Sequence, residues 1–287
     1  MHVGIRGRAT YRFFRTYPVI PIVILVAVVV SAIFAPLIAP HSPTLAVLRD
    51  SNRPPFWFEG GSMRYILGAD HQGRDVLSRV IYGARISMTI AAVAVTAGML
   101  VGTSLGLLAG YFGGVLDDLV MRLVDVSLAI PFILLALTFV VVFGQSFTLL
   151  LGLLALVSWS GYARQIRAEV LQLREMDYVA LAKVAGAPRV QILYRHIFPG
   201  VVNTIIVLGT LQVGHLILVE AILSFLGAGI SPPTPAWGSM IAEGRIYLAS
   251  AWWIAVFPGI GIFFTVLAIN FFGDWLRDRL DPRLRQL

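Results

Sequence analysis

The sequence contains no cysteine. That excludes a disulfide scaffold and any thiolate-ligated metal centre, and it leaves the redox compartment undecided. There is one lysine, Lys183, set in Ala182-Lys183-Val184 with no glycine before it. A phosphate-binding P-loop needs Gly-x-x-x-x-Gly-Lys-Ser/Thr, with its lysine on the terminal phosphates. The chain therefore carries no such loop and does not hydrolyse ATP through one. His-Glu-x-x-His does not occur; the one Gly-x-Ser-x-Gly match, Gly102-Thr103-Ser104-Leu105-Gly106, lies inside a long apolar run and not at the strand-to-helix turn that a nucleophile elbow needs; and the five histidines, at 2, 41, 71, 196 and 215, have no ligand spacing. No catalytic, cofactor or metal constellation is expected, and an energised transporter built from this chain would draw energy from a partner or an ion gradient. Charge itself is scarce, at 13% of residues against about 25% in a soluble domain.

What the chain has instead is apolar length. Of 287 residues, 58% are hydrophobic, and the mean hydropathy is +0.84. Disorder is excluded, and a bilayer is the expected solvent. The net charge of +7 would suit nucleic acid, but the arginines lie in short stretches between long uncharged runs, so no nucleic-acid partner is expected. A spanning helix needs about 20 mostly apolar residues. Six stretches qualify: 18–39, 86–109, 119–143, 147–163, 201–226 and 251–272. The fourth is short, which suits a tilted or partly buried helix.

Arg6, Arg8, Arg12 and Arg15 precede the first run, a pattern shared with signal peptides. The run is about 22 residues, too long for a signal core of 7–15, and no small-x-small site follows; it reads as an uncleaved span. Six spans put both ends on one side. With the ends inside, 15 of the 22 basic residues fall in inner segments, the orientation that the positive-inside bias favours. The segment from His41 to Arg85 opposes it with six arginines, partly offset by Asp50, Glu59, Asp70 and Asp75. The expected organisation is a cytoplasmic tail 1–17, a first span 18–39, an extracytoplasmic loop 40–85, a five-helix core 86–273 and a cytoplasmic tail 274–287.

The inner stretch 164–199 reads as two short helices. Asp177 suits an N-cap, Gly186 a left-handed C-terminal residue, and Pro188 the first turn of a second helix. That helix would run to Phe198, with Pro199 opening the fifth span. The small and apolar residues Val179, Ala180, Ala182, Val184 and Ala185 would suit a groove on another protein, or the stretch is a solvated linker with an interfacial helix.

Here the residues carry a resemblance. Tyr178-Val179-Ala180-Leu181-Ala182-x-x-x-Gly186, followed by His196-x-x-Pro199, resembles the coupling loop of ATP-binding-cassette (ABC) importer permeases, whose pattern is Glu-Ala-Ala-x-x-x-Gly. Tyr162-Ala163-Arg164-x-x-Arg167 and Asp177-Tyr178-Val179 resemble the dipeptide/oligopeptide/nickel branch. So do Leu67-Gly68-x-Asp70-x-x-Gly73-Arg74-Asp75-x-x-Ser78-Arg79, Leu223-Ser224-Phe225-Leu226-Gly227, Pro232-Pro233-x-Pro235-x-Trp237-Gly238 and the tail from Asn270 to Arg283. The likeness covers about residues 15–284 and is to the C-type permease subunit. Two positions depart from it: Ala180 stands where the motif has Glu, and Gly200 follows Pro199 where Asn is common.

The resemblance implies an all-α membrane protein with six transmembrane helices, the type I importer permease fold and a cytoplasmic coupling hairpin. It implies half of a path for short peptides in a prokaryotic inner membrane. It implies a second homologous permease, one or two ATPase subunits holding ATP and Mg, and an extracytoplasmic binding protein. The coupling contact would involve Tyr178, Val179, Ala180, Leu181, Ala182, Lys183, Gly186, Ala187, His196 and Pro199. A short rigid lever joined to two spans can pass on a rigid-body motion.

Other features sit inside the spans. Gly98, Gly102, Gly106 and Gly110 recur every fourth residue, a spacing that lets helices approach closely or lines the path. Arg122 and Asp125, three apart, suit a local ion pair more than a proton relay, and Pro131 is expected to kink the third span. Glu220, with Ser224 four residues on and His215 five before, is an intramembrane carboxylate. It reads as a structural hydrogen-bonding group, a path-lining charge or a proton carrier. The proline-rich stretch after Gly227 reads as a rigid cap or a docking loop. Two rival functions follow from the residues alone: an ion-driven transporter using Glu220 and His215, for which the two halves show no convincing repeat, and a channel or membrane assembly scaffold, the channel being opposed by the lack of a charged ring or filter repeat.

Overall fold

The computed structural model describes residues 18–280. The helices are, in chain order, α1 Val19–Ile33, α2 Ala35–Ile38, α3 Val76–Phe112, α4 Gly114–Ala129, α5 Phe132–Phe143, α6 Phe147–Leu173, α7 Asp177–Val184, α8 Arg189–Ile192, α9 Phe198–Phe225, α10 Trp237–Gly244 and α11 Trp253–Leu280. A π-helical segment, Leu193–Ile197, joins α8 to α9. The described residues contain no β-strand, only an isolated bridge between Ala69 and Asp75. The chain divides into two compact units. One holds the residues up to Met88 and those from Pro232 onward; the other is Thr89–Ser231.

All six apolar stretches are helical, but their limits differ from the sequence reading. Four helical runs are long and apolar enough to cross a membrane: α3, α6, α8 with α9, and α11. The third stretch bends far more sharply than a kink. It is α4 and α5, a broken span or a re-entrant pair bent by 81°, where Ile130 is extended and Pro131, the N-cap of α5, supplies no N–H. The first is a 15-residue helix that stops at Phe34, with Pro36 opening the four-residue α2. The predicted tail 1–17 and residues 281–287 of the C-terminal tail lie outside the described residues.

Three helices overrun their predicted ends. α3 starts at Val76, ten residues before the expected span, because Asp75 caps it: its Oδ2 accepts from the backbone N–H of Ser78 at 2.9 Å. The loop expected over 40–85 therefore ends at Asp75. α6 passes Arg164 and Arg167 and continues to Leu173. These arginines do not end it because α4 supplies their counter-charges. Arg167 grips Asp117 with two bonds of 2.8 and 2.6 Å, and Arg164 meets Asp125 at 2.6 Å. α11 likewise runs past Gly273 to Leu280, so residues 274 to 280 continue the helix of the sixth apolar stretch and do not form a separate tail.

In the unit formed by the chain's two ends, charge is buried. Arg74 Nε binds Asp70 Oδ2 at 2.6 Å and its Nη2 binds Glu243 Oε2 at 2.7 Å. Arg79 bridges the same two carboxylates at 3.1 Å each. Both guanidiniums are 2% exposed. Trp237 on α10 donates to the carbonyl of Val80 at 2.9 Å, and Trp253 donates to that of Ala69 at 3.1 Å. The segment before α3, α3's first turns, α10 and α11 are thereby stitched together around a paired charge cluster.

In the other unit the glycine stripe decides the packing. A Cβ on Gly106 would lie 2.6 Å from the carbonyl oxygen of Ala163, and one on Gly110 would lie 2.8 Å from Cβ of Val170. Side chains at Gly98 and Gly102 would run into Ser158 and the Trp159 carbonyl. α3 and α6 thus meet backbone to backbone along four turns, with Ser158 Oγ donating across to the carbonyl of Ala94 at 3.2 Å.

Candidate functional site

The segment joining α6 to α9 is a helical hairpin. α7 ends in a Schellman turn. The N–H of Ala187 donates to the carbonyl of Ala182 at 3.1 Å and that of Gly186 to Lys183 at 3.0 Å. Gly186 sits at φ +76, where a side chain is costly. Two details correct the sequence reading. The N-cap of α7 is Met176, without a side-chain bond, while Asp177 lies in the first turn, where its charge suits the positive helix end. Nor does the second helix stop before Pro199: α8 passes through the π-helical segment into α9, one run from Arg189 to Phe225. Pro199 lies inside that run, just after the π-helical segment, and has no N–H to donate back into it.

The hairpin has an inner and an outer side. Val179, Ile192 and Ile197 are buried in a core cluster with Leu107, Ile166, Val170 and Val201, and Ala182 and Ala187 pack against it. The expected docking set is corrected here: Val179 faces the core, not a partner. The outward residues are Tyr178, Leu181 at 69% exposure, Val184 at 87%, Val190 at 72% and Tyr194 at 74%. Ala180, Lys183, Gly186 and Pro199 are also exposed, and His196 is half-buried. Tyr194 stacks on Phe198 at 6.1 Å. These outward apolar side chains are mounted on a hairpin that is packed against three long helices.

The charges inside the spans arrange differently from expectation. Asp125 pairs with Arg164, not with Arg122; Asp125 reaches across to α6 because the four-turn α4 lies along it. Glu220 is fully buried and accepts from Ser224 Oγ at 2.7 Å, one turn on. His215 is exposed and, five residues earlier, points off Glu220's face. After α9, Ser231 Oγ donates to Gln145 Oε1 at 2.8 Å, and Gln145 Nε2 donates to the carbonyl of Gly227.

Sequence reasoning missed the buried set Asp70, Arg74, Arg79 and Glu243. Its signal was present, as four charges in the quoted Asp70–Arg79 motif, but Glu243 is more than 160 residues away. Asp70, His71 and Glu243 also bring ligand atoms within 4.8 Å of one another. Two buried guanidiniums already occupy the carboxylates, so a cation there would have to share them with two fixed positive charges. This is an ion-pair network, not a metal centre.

The comparisons with known proteins agree with this geometry. Residues 102–286 match the family described as "Binding-protein-dependent transport system inner membrane component". The chain belongs to that family. It is a permease, a membrane subunit of an ABC importer. It is 42% identical to the di/tripeptide transport system permease protein DppC of Pseudomonas aeruginosa, covering 90% of this chain and 85% of that one. It is 45% identical to the dipeptide transport system permease protein DppC of Escherichia coli K12, over 93% and 89%. It is 44% identical to the glutathione transport system permease protein GsiD of Pectobacterium atrosepticum, over 79% and 75%. Among solved structures, a chain of the MetNI methionine ABC transporter in inward-facing conformations aligns at TM-score 0.57 and 19% identity, over 71% of this permease and 96% of that chain. At that identity the likeness speaks for the fold.

Proposed function

We propose that this permease forms half of the translocation path for short peptides and that the hairpin of α7 and α8 is the knob gripped by an ATP-binding subunit. Short-peptide relatives support the substrate class. The observation that carries the coupling reading is the two-sided hairpin: Val179, Ile192 and Ile197 fix it to the helix core, while Leu181, Val184 and Val190 stand out in solvent. Outward apolar side chains supply the contact, and the buried ones make the knob move with α6 and α9 as a body. A flexible linker would not pass on such a motion.

In the assembly we infer, a second homologous permease completes the path, and one or two ATPase subunits supply ATP and Mg. A binding protein brings peptide from outside, and both termini face the cytoplasm. The chain's own contribution is non-enzymatic. The proton-driven alternative loses its support, since Ser224 donates to Glu220 and His215 points elsewhere.

The test uses the cysteine-free background. A single cysteine at Val184 cross-links to the ATPase subunit in the assembled importer. Gly186→Val forces a β-branched residue into left-handed backbone, straining the turn by about 1–2 kcal/mol. It uncouples ATP hydrolysis from uptake at normal membrane levels of the chain. Full uptake by a well-expressed Gly186→Val permease, with no cross-link at Val184, overturns the reading.

A further inference from the structure

A short loop in the unit formed by the chain's two ends carries three aromatic residues in a row, Phe56, Trp57 and Phe58. Two turns hold it. The N–H of Phe58 donates to the carbonyl of Pro55 at 3.0 Å, and that of Gly61 to the carbonyl of Phe58 at 2.9 Å. The loop leans on the start of α11. Trp57 meets Phe257 edge-on at 6.2 Å, and Phe58 meets Trp252 at 6.1 Å. Even so, Phe56, Trp57 and Phe58 remain 45%, 48% and 45% exposed. The indole N–H groups differ too. Those of Trp237 and Trp253 are bonded inside the protein, whereas among the described residues that of Trp57 has no acceptor.

α11 fixes the depth of this loop from both ends. From Trp253 to Gly273 the helix has 21 residues without a charge, and Asp274 closes the run. At 1.5 Å per residue that is about 31 Å, the thickness of one hydrocarbon core, about 30 Å. Before Trp253 the mostly exposed residues 246–250 run in turns, and irregular backbone does not face lipid inside the core. The core therefore fills the run, with Trp252 and Trp253 at one boundary and Phe257 a turn inside it. Phe257 lies in line with Ile260 and Phe264, which are 43% and 45% exposed, so Trp57 continues an outward apolar face of the spanning helix. An amphipathic ring with a free N–H at that level suits the zone between acyl chains and headgroups. We propose that Phe56, Trp57 and Phe58 dip into the bilayer interface at the N-terminal end of α11. They anchor there the segment that leads into the Asp70–Arg79 charge cluster.

The test is spin labelling of the cysteine-free chain in the assembled importer, in phosphatidylcholine vesicles. It needs no ATP, so its failure leaves the coupling reading untouched. A nitroxide at Phe56→Cys is relaxed more by oxygen, which concentrates in lipid, than by a water-soluble nickel chelate. One at Arg49→Cys, which replaces an exposed charge, shows the reverse order. Both positions are exposed, and elution as one sharp species before reconstitution checks folding; a label at Trp57→Cys repeats the reading one residue on. Three outcomes overturn the proposal. Nickel relaxing the label at 56 as readily as at 49 places the loop in water. Nickel shut out only after the substrate-binding protein is added makes the aromatics a protein-docking face. Exclusion of both reagents means that another subunit covers them.

Discussion

Around Arg74 and Arg79, charged side chains are buried together and apolar ones fill in behind them. In the hairpin of α7 and α8 the arrangement is inverted, with Lys183 and Arg189 in solvent and Leu181, Val184 and Val190 held outward. Both regions carry segments of the family resemblance, yet they answer to different constraints. Two guanidiniums facing two carboxylates return their desolvation cost only when every partner is in place, so Asp70, Arg74, Arg79 and Glu243 depend on one another. Apolar side chains left in water contribute nothing to the folded chain and gain only when something covers them. The first region holds its unit together; the second offers the face that we propose is covered by a partner.

The largest effect that can break this contrast comes from the buried cluster. Arg74→Ala leaves Asp70 without its closest partner and Glu243 with one guanidinium instead of two. Removing one member of a buried ion pair costs about 3–5 kcal/mol. The expected outcome is a marked drop in the thermal unfolding midpoint of the detergent-solubilised chain, with low yield in membranes. If Arg74→Ala unfolds at the parent's temperature, the cluster does not hold that unit.

Why the cluster escaped the sequence reading is a matter of distance along the chain. Arg74 and Arg79 look like charges of a solvated loop until Glu243 on α10 is known to lie beside them. The same holds for Arg164 and Arg167, which read as the end of a span; Asp125 and Asp117 are 39 and 50 residues away, and no local pattern announces them. Local chemistry was legible. Gly186 adopts the left-handed turn its place after Val184 suggests, the glycines four apart lie against α6, and Pro131 interrupts its helix more sharply than a kink. Asp75, three residues before Ser78, was a readable cap signal that would have moved the start of α3 outward. Val179 was legible as apolar, but which side of α7 it faced depended on Ile166 and Val170 in a neighbouring helix.

A smaller effect tests a paired site in the same unit. Tyr65 donates to Asp50 Oδ2 at 3.0 Å, and Arg53 binds Asp50 Oδ1 at 2.7 Å. Burial pushes the Asp50 carboxyl up, but the bonds from Tyr65 and Arg53 and the charges of Arg53 and Arg64 outweigh it, and the net direction is down from 3.8. Burial and the Asp50 bond raise Tyr65 above 10.0. A lowered carboxyl stabilises the fold at pH values above 3.8 and loses that contribution as pH falls through the folded value. A raised phenol stabilises it below pH 10.0 and loses that contribution as pH rises through the folded value. Tyr65→Phe removes the bond, costs about 1 kcal/mol at neutral pH, and flattens both ends of a profile of unfolding midpoint against pH. An unchanged profile would place the Tyr65 bond outside the forces that hold the segment.

The smallest expected change in stability falls on the hairpin, and it separates the regions most cleanly. Leu181→Ser removes a side chain that is 69% exposed, so unfolding should shift by no more than about 0.5 kcal/mol. The same substitution takes an apolar group from the surface proposed to meet the ATPase subunit. Peptide uptake by the assembled importer should then fall while the chain's unfolding midpoint stays put. Arg74→Ala fails in the opposite order, losing the fold first and transport as a consequence. A Leu181→Ser chain that unfolds several degrees early would mean that this residue is part of the core. One that transports at the parent rate would mean that the knob's outer face is not where the motor grips.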